Sequence, residues 1–504
     1  MHYPFWDSSI SYGLLMGCIA VLHVFISHFA IGGGLYLVWQ ETLARKSGDQ
    51  QGLDFLERLS KFFVLLTLVM GALSGVGIWF IIGLINPAAT EVLIHNFVWF
   101  WATEWTFFII EITAAIIYFY GWKTLSAKNH IIVGWIYFAS AWMSLFVING
   151  IITFMLTPGD WLTTGNIWDA FFNPTFWPSL VFRTGMSVML AGFYALLIAS
   201  RYPAHDFDGF KERLVRKNAL WGLTGLILLV PSFVWYWKAI PTEITTNALA
   251  MMKIPITSMH QGYWYAGAAA LLLIVFGLIL PRRCSTVVAV ALMICGLMLF
   301  AKFEWFRESI RKPYAIGGYM FANAVEVAHT PTYQSEGYLK HMTFRTGDDG
   351  ADLFRRACQS CHTMEGSRAL KPVFDGTDKE FIAAIIKGVE ALKGNMPPFY
   401  GTEEEARLLA NYIYDKIDKR PLSEIYGLHG APLGKKVFEV RCGKCHEMGG
   451  YNDKTASLIA IGETGYEEFI DTADDYGEAM PAFTGDEAEK EALIEFLKTL
   501  GHHP

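Results

Sequence analysis

One short pattern of cysteine and histidine occurs twice in the last third of the chain. Each copy is C-x-x-C-H, two cysteines separated by two residues and followed at once by a histidine: Cys358, Cys361 and His362, then Cys442, Cys445 and His446. In this pattern the two thiols bond covalently to the vinyl groups of a c-type haem, and the histidine fills one axial position on the iron. A zinc site or a chance match is the alternative.

A methionine follows each motif at the same distance along the chain. Met396 follows His362 with the spacing at which Met480 follows His446, and each methionine precedes a proline. The offset in residue number between the two motifs also relates two pairs of aromatic residues: Phe354 with Phe438, and Phe399 with Phe483. A thioether is a soft ligand that stabilises reduced iron, so His/Met ligation raises the reduction potential. The repetition predicts two tandem cytochrome domains, each with one covalent haem c, rather than zinc or coincidence.

These motifs belong to a chain with the composition of a membrane protein. Of its 504 residues, 53 % are hydrophobic, 15 % are aromatic and 17 % are charged, whereas soluble proteins have about 45–50 % apolar and about 25 % charged residues. The first 300 residues are apolar with basic loops, and the last 165 are polar and acidic. There is no basic face and no nucleic-acid reading motif, so we expect no nucleic-acid partner.

Eight apolar segments are long enough to cross a lipid bilayer, because about 20 helical residues span a hydrocarbon core of about 30 Å. They are residues 10–39, 62–85, 97–121, 131–156, 178–200, 218–237, 262–280 and 285–303. The first segment lacks a basic flank and a small-residue cleavage site, so we expect it to insert uncleaved. The predicted fold class is all-α: an eight-helix transmembrane bundle followed by two small helical cytochrome c domains.

The distribution of lysine and arginine predicts the orientation of these helices. The odd-numbered loops carry 13 such residues and the even-numbered loops only Lys238 and Lys253, and cytoplasmic loops are the ones enriched in basic residues. We therefore expect the N-terminus and the cytochrome c domains on the periplasmic side of a bacterial inner membrane. The predicted domains are 1–325 (transmembrane), 326–349 (polar linker), 350–420 (first cytochrome c) and 421–504 (second cytochrome c).

Ionisable side chains within the helices are further candidates, since each is costly in a bilayer unless it is paired or used. The first helix has His23 and His28, and the third has Glu104 and Glu111, whose seven-residue spacing places them on one face. The fifth helix has Arg183. Four more charged residues follow the eighth segment: Glu304, Arg307, Glu308 and Arg311. A histidine with two carboxylates suits an iron ligand and a proton path; a hydrogen-bonded structural histidine is the alternative.

Five stretches of the membrane half resemble subunit I of the cytochrome bd quinol oxidases, and the likeness spans residues 10–325. They are residues 22–34, 40–42, 104–122, 149–159 and 308–317. The last of these, Glu-Ser-Ile-Arg-Lys-Pro-Tyr-Ala-Ile-Gly, resembles the family signature Glu-x-Gly-Arg-Gln-Pro-Trp and is the most specific match.

This resemblance implies roles for individual residues. His23 would be the iron ligand of a high-spin haem, and Glu308 a ligand of a second one. Glu104 and Glu111 would be catalytic carboxylates at the oxygen site or on its proton path. Arg311 would hold a haem propionate, for which a guanidinium fork is suited. The resemblance also implies one or two haems b or d in the membrane half, and a second membrane subunit of the bd type as partner.

The sequence also departs from the family pattern. The family's low-spin haem, which lies nearest the quinol, uses a histidine on the fifth helix, where this chain has Arg183, and a methionine without a counterpart here. His260 lies close to the position of that methionine. The family's external quinol loop is missing from residues 239–259. His28 is an additional histidine, which is either a further iron ligand or a core residue.

Helices are expected around each haem motif, at residues 352–357, 402–417, 435–440 and 485–500, with Thr402 and Asp486 as N-caps. The last domain also carries a run of acidic residues: Glu467, Glu468, Asp471, Asp474, Asp475 and Glu478. Such a run forms a solvated face or steers a basic partner.

Haem c domains on the outer side, together with the missing quinol loop, indicate a replaced electron input. We predict a membrane respiratory haem protein, a bd-like terminal oxidase whose c haems take electrons from a periplasmic cytochrome c or other haem protein. The alternative is a non-oxidase electron-transfer or anchor subunit that links the quinone pool, through a bound quinone, to periplasmic haem proteins in a larger complex.

Overall fold

The computed structural model describes residues 8–203, 209–245, 253–392, 394–477 and 480–501, and these residues are mostly helical. Within these described ranges, eight helices are long and apolar enough to cross a membrane: α1 Tyr12–Ser47, α2 Gln50–Ile85, α3 Val98–Gly121, α4 Ala127–Phe154, α5 Phe176–Ala199, α6 Phe210–Ala239, α7 Met259–Ile279 and α8 Thr286–Arg311. Each coincides with a predicted segment, so the predicted bundle is confirmed. Part of the loop at 239–259 lies outside the described residues.

The charged residues expected to follow the eighth segment belong to the helix itself. The helix α8 continues to Arg311, so Glu304, Arg307 and Glu308 lie on its last two turns. The predicted segment ends at residue 303 because the apolar residues end there. Backbone hydrogen bonding and the ion pairs described below extend the helix by two further turns.

Short helices and one hairpin connect the spans. The helices are Pro87–Asn96, Trp161–Thr164 and Ile167–Phe171; π-helical turns at Leu65–Gly71 and Leu273–Ile279 lie within α2 and at the end of α7. After α8, strands β1 (Tyr314–Ile316) and β2 (Met320–Phe321) form an antiparallel hairpin. Phe321 of this hairpin packs into the core of the next domain, so the bundle and the soluble half are in contact.

The close approach of α1 to α5 sets the rotation of the histidine-bearing helix. A Cβ added at Gly32 would lie 1.8 Å from the Ser187 carbonyl oxygen, and one at Gly34 would lie 2.2 Å from the Tyr137 ring. Only glycine fits at such distances. These contacts lock α1 between α4 and α5 and thereby decide which neighbours His23 and His28 face.

The described part of the soluble half contains five principal helices: α9 Asp349–Ala357, α10 Lys379–Lys387, α11 Glu403–Tyr414, α12 Gly430–Val437 and α13 Glu487–Leu500. Shorter ones lie at Val327–His329, Thr330–Glu336, Leu339–His341, Lys371–Phe374, Val389–Ala391, Leu422–Tyr426, Phe438–Cys442, Thr455–Ile461, Tyr466–Asp471 and Ala473–Tyr476. Thr402 and Asp486 cap α11 and α13 through bonds from the backbone N–H groups of Glu405 (3.2 Å) and Glu489 (2.8 Å), as the sequence predicts.

The segment predicted as a linker is folded against the first haem domain. Tyr338 and Leu339 are buried in its core, and their backbone N–H groups donate to Glu405 at 2.9 and 2.7 Å. In the second copy the N–H of Leu422 donates to Glu489 at 3.0 Å. Leu422 and Glu489 are related to Tyr338 and Glu405 by the same offset as the two haem motifs, so the repeat extends back to Tyr338.

Candidate functional site

The two C-x-x-C-H histidines share one hydrogen-bond arrangement. Nδ1 of His362 lies 3.0 Å from the Arg368 carbonyl oxygen, and Nδ1 of His446 lies 3.2 Å from that of Asn452. A carbonyl oxygen only accepts, so Nδ1 carries the proton and Nε2 keeps the lone pair that an iron ligand needs. Arg368 and Asn452, at equivalent positions of the two copies, both have left-handed backbones, with φ of 50° and 46°. Both sites therefore fit an axial haem ligand.

The cysteines of the motifs are chemically suited to haem attachment. The backbone N–H of each histidine donates to the carbonyl of the first cysteine of its motif, at 2.8 Å for Cys358 and 2.9 Å for Cys442. Burial raises the pKa of the Cys358 thiol to about 12 and that of Cys442 to about 11. Cys358 and Cys442 are therefore protonated thiols at neutral pH in the protein without haem.

The two methionines lie on the loops that precede α11 and α13. Met396 packs against the core of the first haem domain, as does Cys358. The N–H of Met480 donates to the Gly477 carbonyl at 2.9 Å, and the side chain is partly exposed. Their service as second axial ligands remains a prediction.

In the membrane half, His23 faces α2. Its Nδ1 lies 3.1 Å from the Ser74 hydroxyl, which itself donates to the Met70 carbonyl at 2.6 Å. The hydroxyl proton is therefore engaged, so Nδ1 of His23 donates and Nε2 keeps its lone pair. The arrangement matches the one seen at His362 and fits an iron ligand.

His28 lies on another side of α1 and is not brought together with His23. Five helical residues turn through about 140°, and the His28 ring packs 4.8 Å from that of Phe300 on α8. Its Nδ1 donates to the Val24 carbonyl at 2.7 Å. Within the described residues its buried Nε2 has no hydrogen-bond partner.

A buried ion network occupies the part of the bundle that His28 faces. Arg183 on α5 donates to Glu304 at 2.9 Å, and Arg307 donates to the same carboxylate at 2.7 Å. Arg183 is 2 % exposed. The resemblance implies a haem-ligating histidine at the position of Arg183. In this chain the position instead forms an ion pair between α5 and α8. The intramembrane arginine was the sequence signal, but its partner, far away along the chain, was not evident.

Glu104 and Glu111 belong to a polar ladder between α3 and α4. The Ser144 hydroxyl donates to Glu104 at 2.7 Å. About two helical turns further along α3, the Tyr137 hydroxyl donates to Glu111 at 3.2 Å. The next contact of the ladder joins His130 Nε2 to the Tyr118 carbonyl at 2.9 Å. Seven residues separate successive contacts on both antiparallel helices.

The ladder ends at a fully buried carboxylate on α1. Glu41 accepts from the Tyr118 hydroxyl at 2.8 Å, from His130 Nδ1 at 2.8 Å and from Arg45 at 2.6 Å. A small cavity, on the scale of one water molecule, is lined by Tyr118 and Tyr137 between Glu41 and Glu111. These partners of Glu41 were not predicted from the sequence, although the seven-residue spacing of polar residues along α3 and α4 is visible in it.

Glu308 is held by two cations at the end of α8. Arg311 and Lys312 both pair with its carboxylate, Lys312 at 2.9 Å. Arg311 also donates to the Ala315 carbonyl at 2.8 Å. Both carboxylate oxygens of Glu308 are thus paired with side-chain cations of the protein. Iron ligation by Glu308 stays a prediction.

Two family models match the chain. Residues 14–238 match cytochrome bd terminal oxidase subunit I, and residues 345–413 and 430–497 match cytochrome c oxidase, cbb3-type, subunit III. Among solved structures, the bd oxidase from Geobacillus thermodenitrificans has a TM-score of 0.54 at 14 % identity, over 64 % of this chain and 91 % of that chain. At this identity the likeness shows the fold alone. No curated protein matches the chain.

These matches agree with the duplicated haem motifs and with the eight-helix bundle. The chain is therefore a multi-pass membrane protein of haem electron transfer, in which a domain similar to subunit I of the cytochrome bd terminal oxidases precedes two cytochrome c domains.

Proposed function

We propose that the chain is the core subunit of a terminal oxidase that takes electrons through its c haems and reduces oxygen in the membrane half. The observation that carries the proposal is the position of the first haem motif against the bundle. The N–H of Gly13, at the start of α1, donates to the Ser360 carbonyl inside that motif at 3.2 Å. Lys312, the partner of Glu308, also lies near Cys361 of that motif.

The proposed oxygen site uses His23 as the iron ligand of one haem and Glu308 as a ligand of a second haem. When bound there, a haem supplies the redox chemistry with oxygen. The protein's own part is to hold the ring: Ser74 orients His23 so that Nε2 points its lone pair away from the hydrogen bond. Arg311 is placed to neutralise a propionate. His28 remains a candidate ligand, with its free Nε2 as the supporting feature.

Oxygen reduction consumes protons, and the ladder between α3 and α4 offers a route for them. Glu41 is the entrance on the side of Arg45, Tyr118 and Tyr137 flank the small cavity, and Glu111 and Glu104 continue the line. In this proposal Glu111 accepts a proton from that side and passes it towards Glu104.

A second candidate is a non-oxidase electron-transfer or anchor subunit linking a quinone to periplasmic haem proteins. The pairing of both Glu308 oxygens with Arg311 and Lys312 favours it, since an engaged carboxylate is a poor iron ligand. The buried Arg183–Glu304 pair, in place of a histidine, leaves the expected low-spin haem without its ligand.

The proposal includes the following cofactors and partners. Two covalent haems c are held by the two motifs, and one or two haems b or d by the membrane half. Large apolar side chains on α2 and α3, such as Phe80 and Trp105, are exposed, which is compatible with lipid and with a second membrane subunit. The charge pattern of the loops supports an inner-membrane location with the c domains and their carrier protein in the periplasm.

Substitution of Glu111 tests the oxygen site. Glu111→Ala removes the proton-accepting group beside Tyr137, so oxygen consumption with a reduced soluble cytochrome c donor should fall at least 100-fold. Haem content, measured by pyridine haemochrome, should stay unchanged. Glu91→Ala, at an exposed carboxylate, is the matched control. Unchanged turnover in Glu111→Ala would refute the assignment, and oxygen consumption absent from the unmodified protein would favour the second candidate.

A further inference from the structure

The two haem motifs face different neighbours. The first motif touches the membrane bundle: besides the Gly13–Ser360 bond, the Ser367 N–H donates to the Ser9 carbonyl at 3.0 Å. A Cβ on Gly366 would lie 1.8 Å from that Ser9 oxygen, so only glycine permits the contact. Chain segments before α1 and after His362 are thus in direct backbone contact.

The second motif touches the first haem domain and not the bundle, as far as the described contacts extend. Cys445 packs against the core of the first domain. The Lys444 ammonium lies 5.3 and 5.2 Å from the ring centroids of Phe374 and Phe381, within the range of cation–π attraction. The Tyr451 hydroxyl donates to the Ala391 carbonyl at 3.2 Å.

A buried arginine fixes this second contact. Arg441, 5 % exposed at its side chain, donates to Glu489 of its own domain at 2.7 Å and to the Gly376 carbonyl of the first domain at 3.1 Å. A buried guanidinium shared between two domains opposes their separation, because parting them would leave one of its donors without an acceptor. The second domain is therefore held in place, rather than free to swing towards the membrane.

We propose that the two c haems form a rigid relay of fixed order, in which the first domain alone exchanges electrons with the membrane half and the second domain is the outer entry. This inference rests on the proposed direction of flow. One electron leaves the ferrous centre of a carrier and reduces the ferric haem of the second domain. The same electron would then move to the first haem and from there to the membrane haem, so that both c haems return to the ferric state while the carrier is left oxidised and the membrane haem reduced by one electron.

Photoreduction of variants that keep one c haem each tests the order. A ruthenium trisbipyridine photoreductant injects one electron under anaerobic conditions, and the absorbance of reduced haem c is followed in time. In Cys442→Ala/Cys445→Ala, where only the first haem is attached, the reduced signal should decay within twofold of the native rate. In Cys358→Ala/Cys361→Ala, where only the second is attached, the decay should slow at least 100-fold.

Rapid decay in the variant that keeps only the second haem would overturn the order, as would lost decay in the variant that keeps only the first. The absence of decay in the unmodified protein would instead count against the proposed membrane haem. Transfer between the two c haems is measured separately and does not depend on that haem.

A further double variant keeps both haems and loosens only the contact between their domains. Lys444→Met/Tyr451→Phe removes the cation–π contacts and the bond to Ala391, so transfer from the second haem to the first should slow at least fivefold. Initial photoreduction of the second haem should not change. Lys454→Met, at an exposed lysine, is the control. An unchanged rate between the haems in the double variant would overturn the rigid relay.

Discussion

At the scale of single residues, one hydrogen bond decides whether each histidine can bind iron. His362 and His446 give their Nδ1 protons to backbone carbonyls, and His23 gives its proton to Ser74. In all three the other ring nitrogen keeps its lone pair. The motif spacing in the sequence identifies the first two, because covalent attachment requires it. The orientation of His23 depends on a different helix, α2, and no local sequence pattern predicts that Ser74 is its hydrogen-bond partner.

The assignment of His23 predicts a change in haem content. His23→Ala should lose one membrane haem per chain, because an iron without its axial ligand is poorly retained, and should keep both haems c. Pyridine haemochrome spectra of the purified protein measure both kinds. His95→Ala, at an exposed position on the helix Pro87–Asn96, serves as the control. Full membrane-haem content in His23→Ala would contradict the assignment.

At the scale of elements, the helices are predictable from the sequence, whereas the partners of their polar side chains are not. Apolar length was enough for eight spans, and Thr402 and Asp486 marked two helix starts. The packing of residues 338–342 against the first haem domain was not predicted, because Tyr338 and Leu339 lie among charged residues in a polar segment. Arg183 and Glu304 meet only after α5 and α8 pack, and Glu41 meets His130 only because α1 is locked by Gly32 and Gly34. Such pairings follow from helix rotation, which one sequence does not reveal.

The duplicated carboxylates offer a matched comparison of local stability. Glu405→Ala removes the acceptor of three backbone N–H groups, those of Tyr338, Leu339 and Thr402, and should cost about 1–3 kcal/mol in the free energy of local unfolding. Glu489→Ala also leaves Arg441 buried without its partner and should cost about 3–5 kcal/mol. Hydrogen exchange of α11 and α13, followed by mass spectrometry, measures the two copies separately. Glu487→Ala, on an exposed side chain of α13, should change little.

Equal losses for Glu405→Ala and Glu489→Ala would contradict this interpretation, since the buried guanidinium would then contribute nothing. A loss in α13 after Glu487→Ala would show that the whole helix start is sensitive, whatever the burial of the carboxylate.

At the scale of the whole molecule, negative charge is concentrated in the outer repeat. Residues 421–504 contain 16 acidic and 7 basic residues, whereas residues 350–420 contain 11 of each. A concentration of negative charge attracts a positively charged partner protein over long range and so raises the rate of association. Salt screens this attraction, with a screening length of about 10 Å at 0.1 M ionic strength. The charge composition of the two cytochrome c repeats can be read from the sequence, but the contacts that place the first repeat against the membrane bundle and the second against the first cannot.

This charge distribution predicts a salt-dependent rate of reduction. Reduction by a basic soluble cytochrome c should slow by about tenfold between 10 and 200 mM salt, because the attraction is screened. Stopped-flow absorbance of haem c measures the rate. An uncharged reductant is the control and should show no such dependence. A rate that is independent of salt, or that rises with it, would contradict electrostatic attraction to the outer repeat.

The most direct test of the central claim is a reduced-minus-oxidised spectrum of the purified protein with pyridine haemochrome, repeated under carbon monoxide. The account predicts two haems c per chain, together with b- or d-type bands that shift when the gas binds an open iron in the membrane half. Haem c accompanied by low-spin haem b alone, or by no membrane haem, and unaffected by carbon monoxide, would contradict the oxidase and leave an electron-transfer subunit.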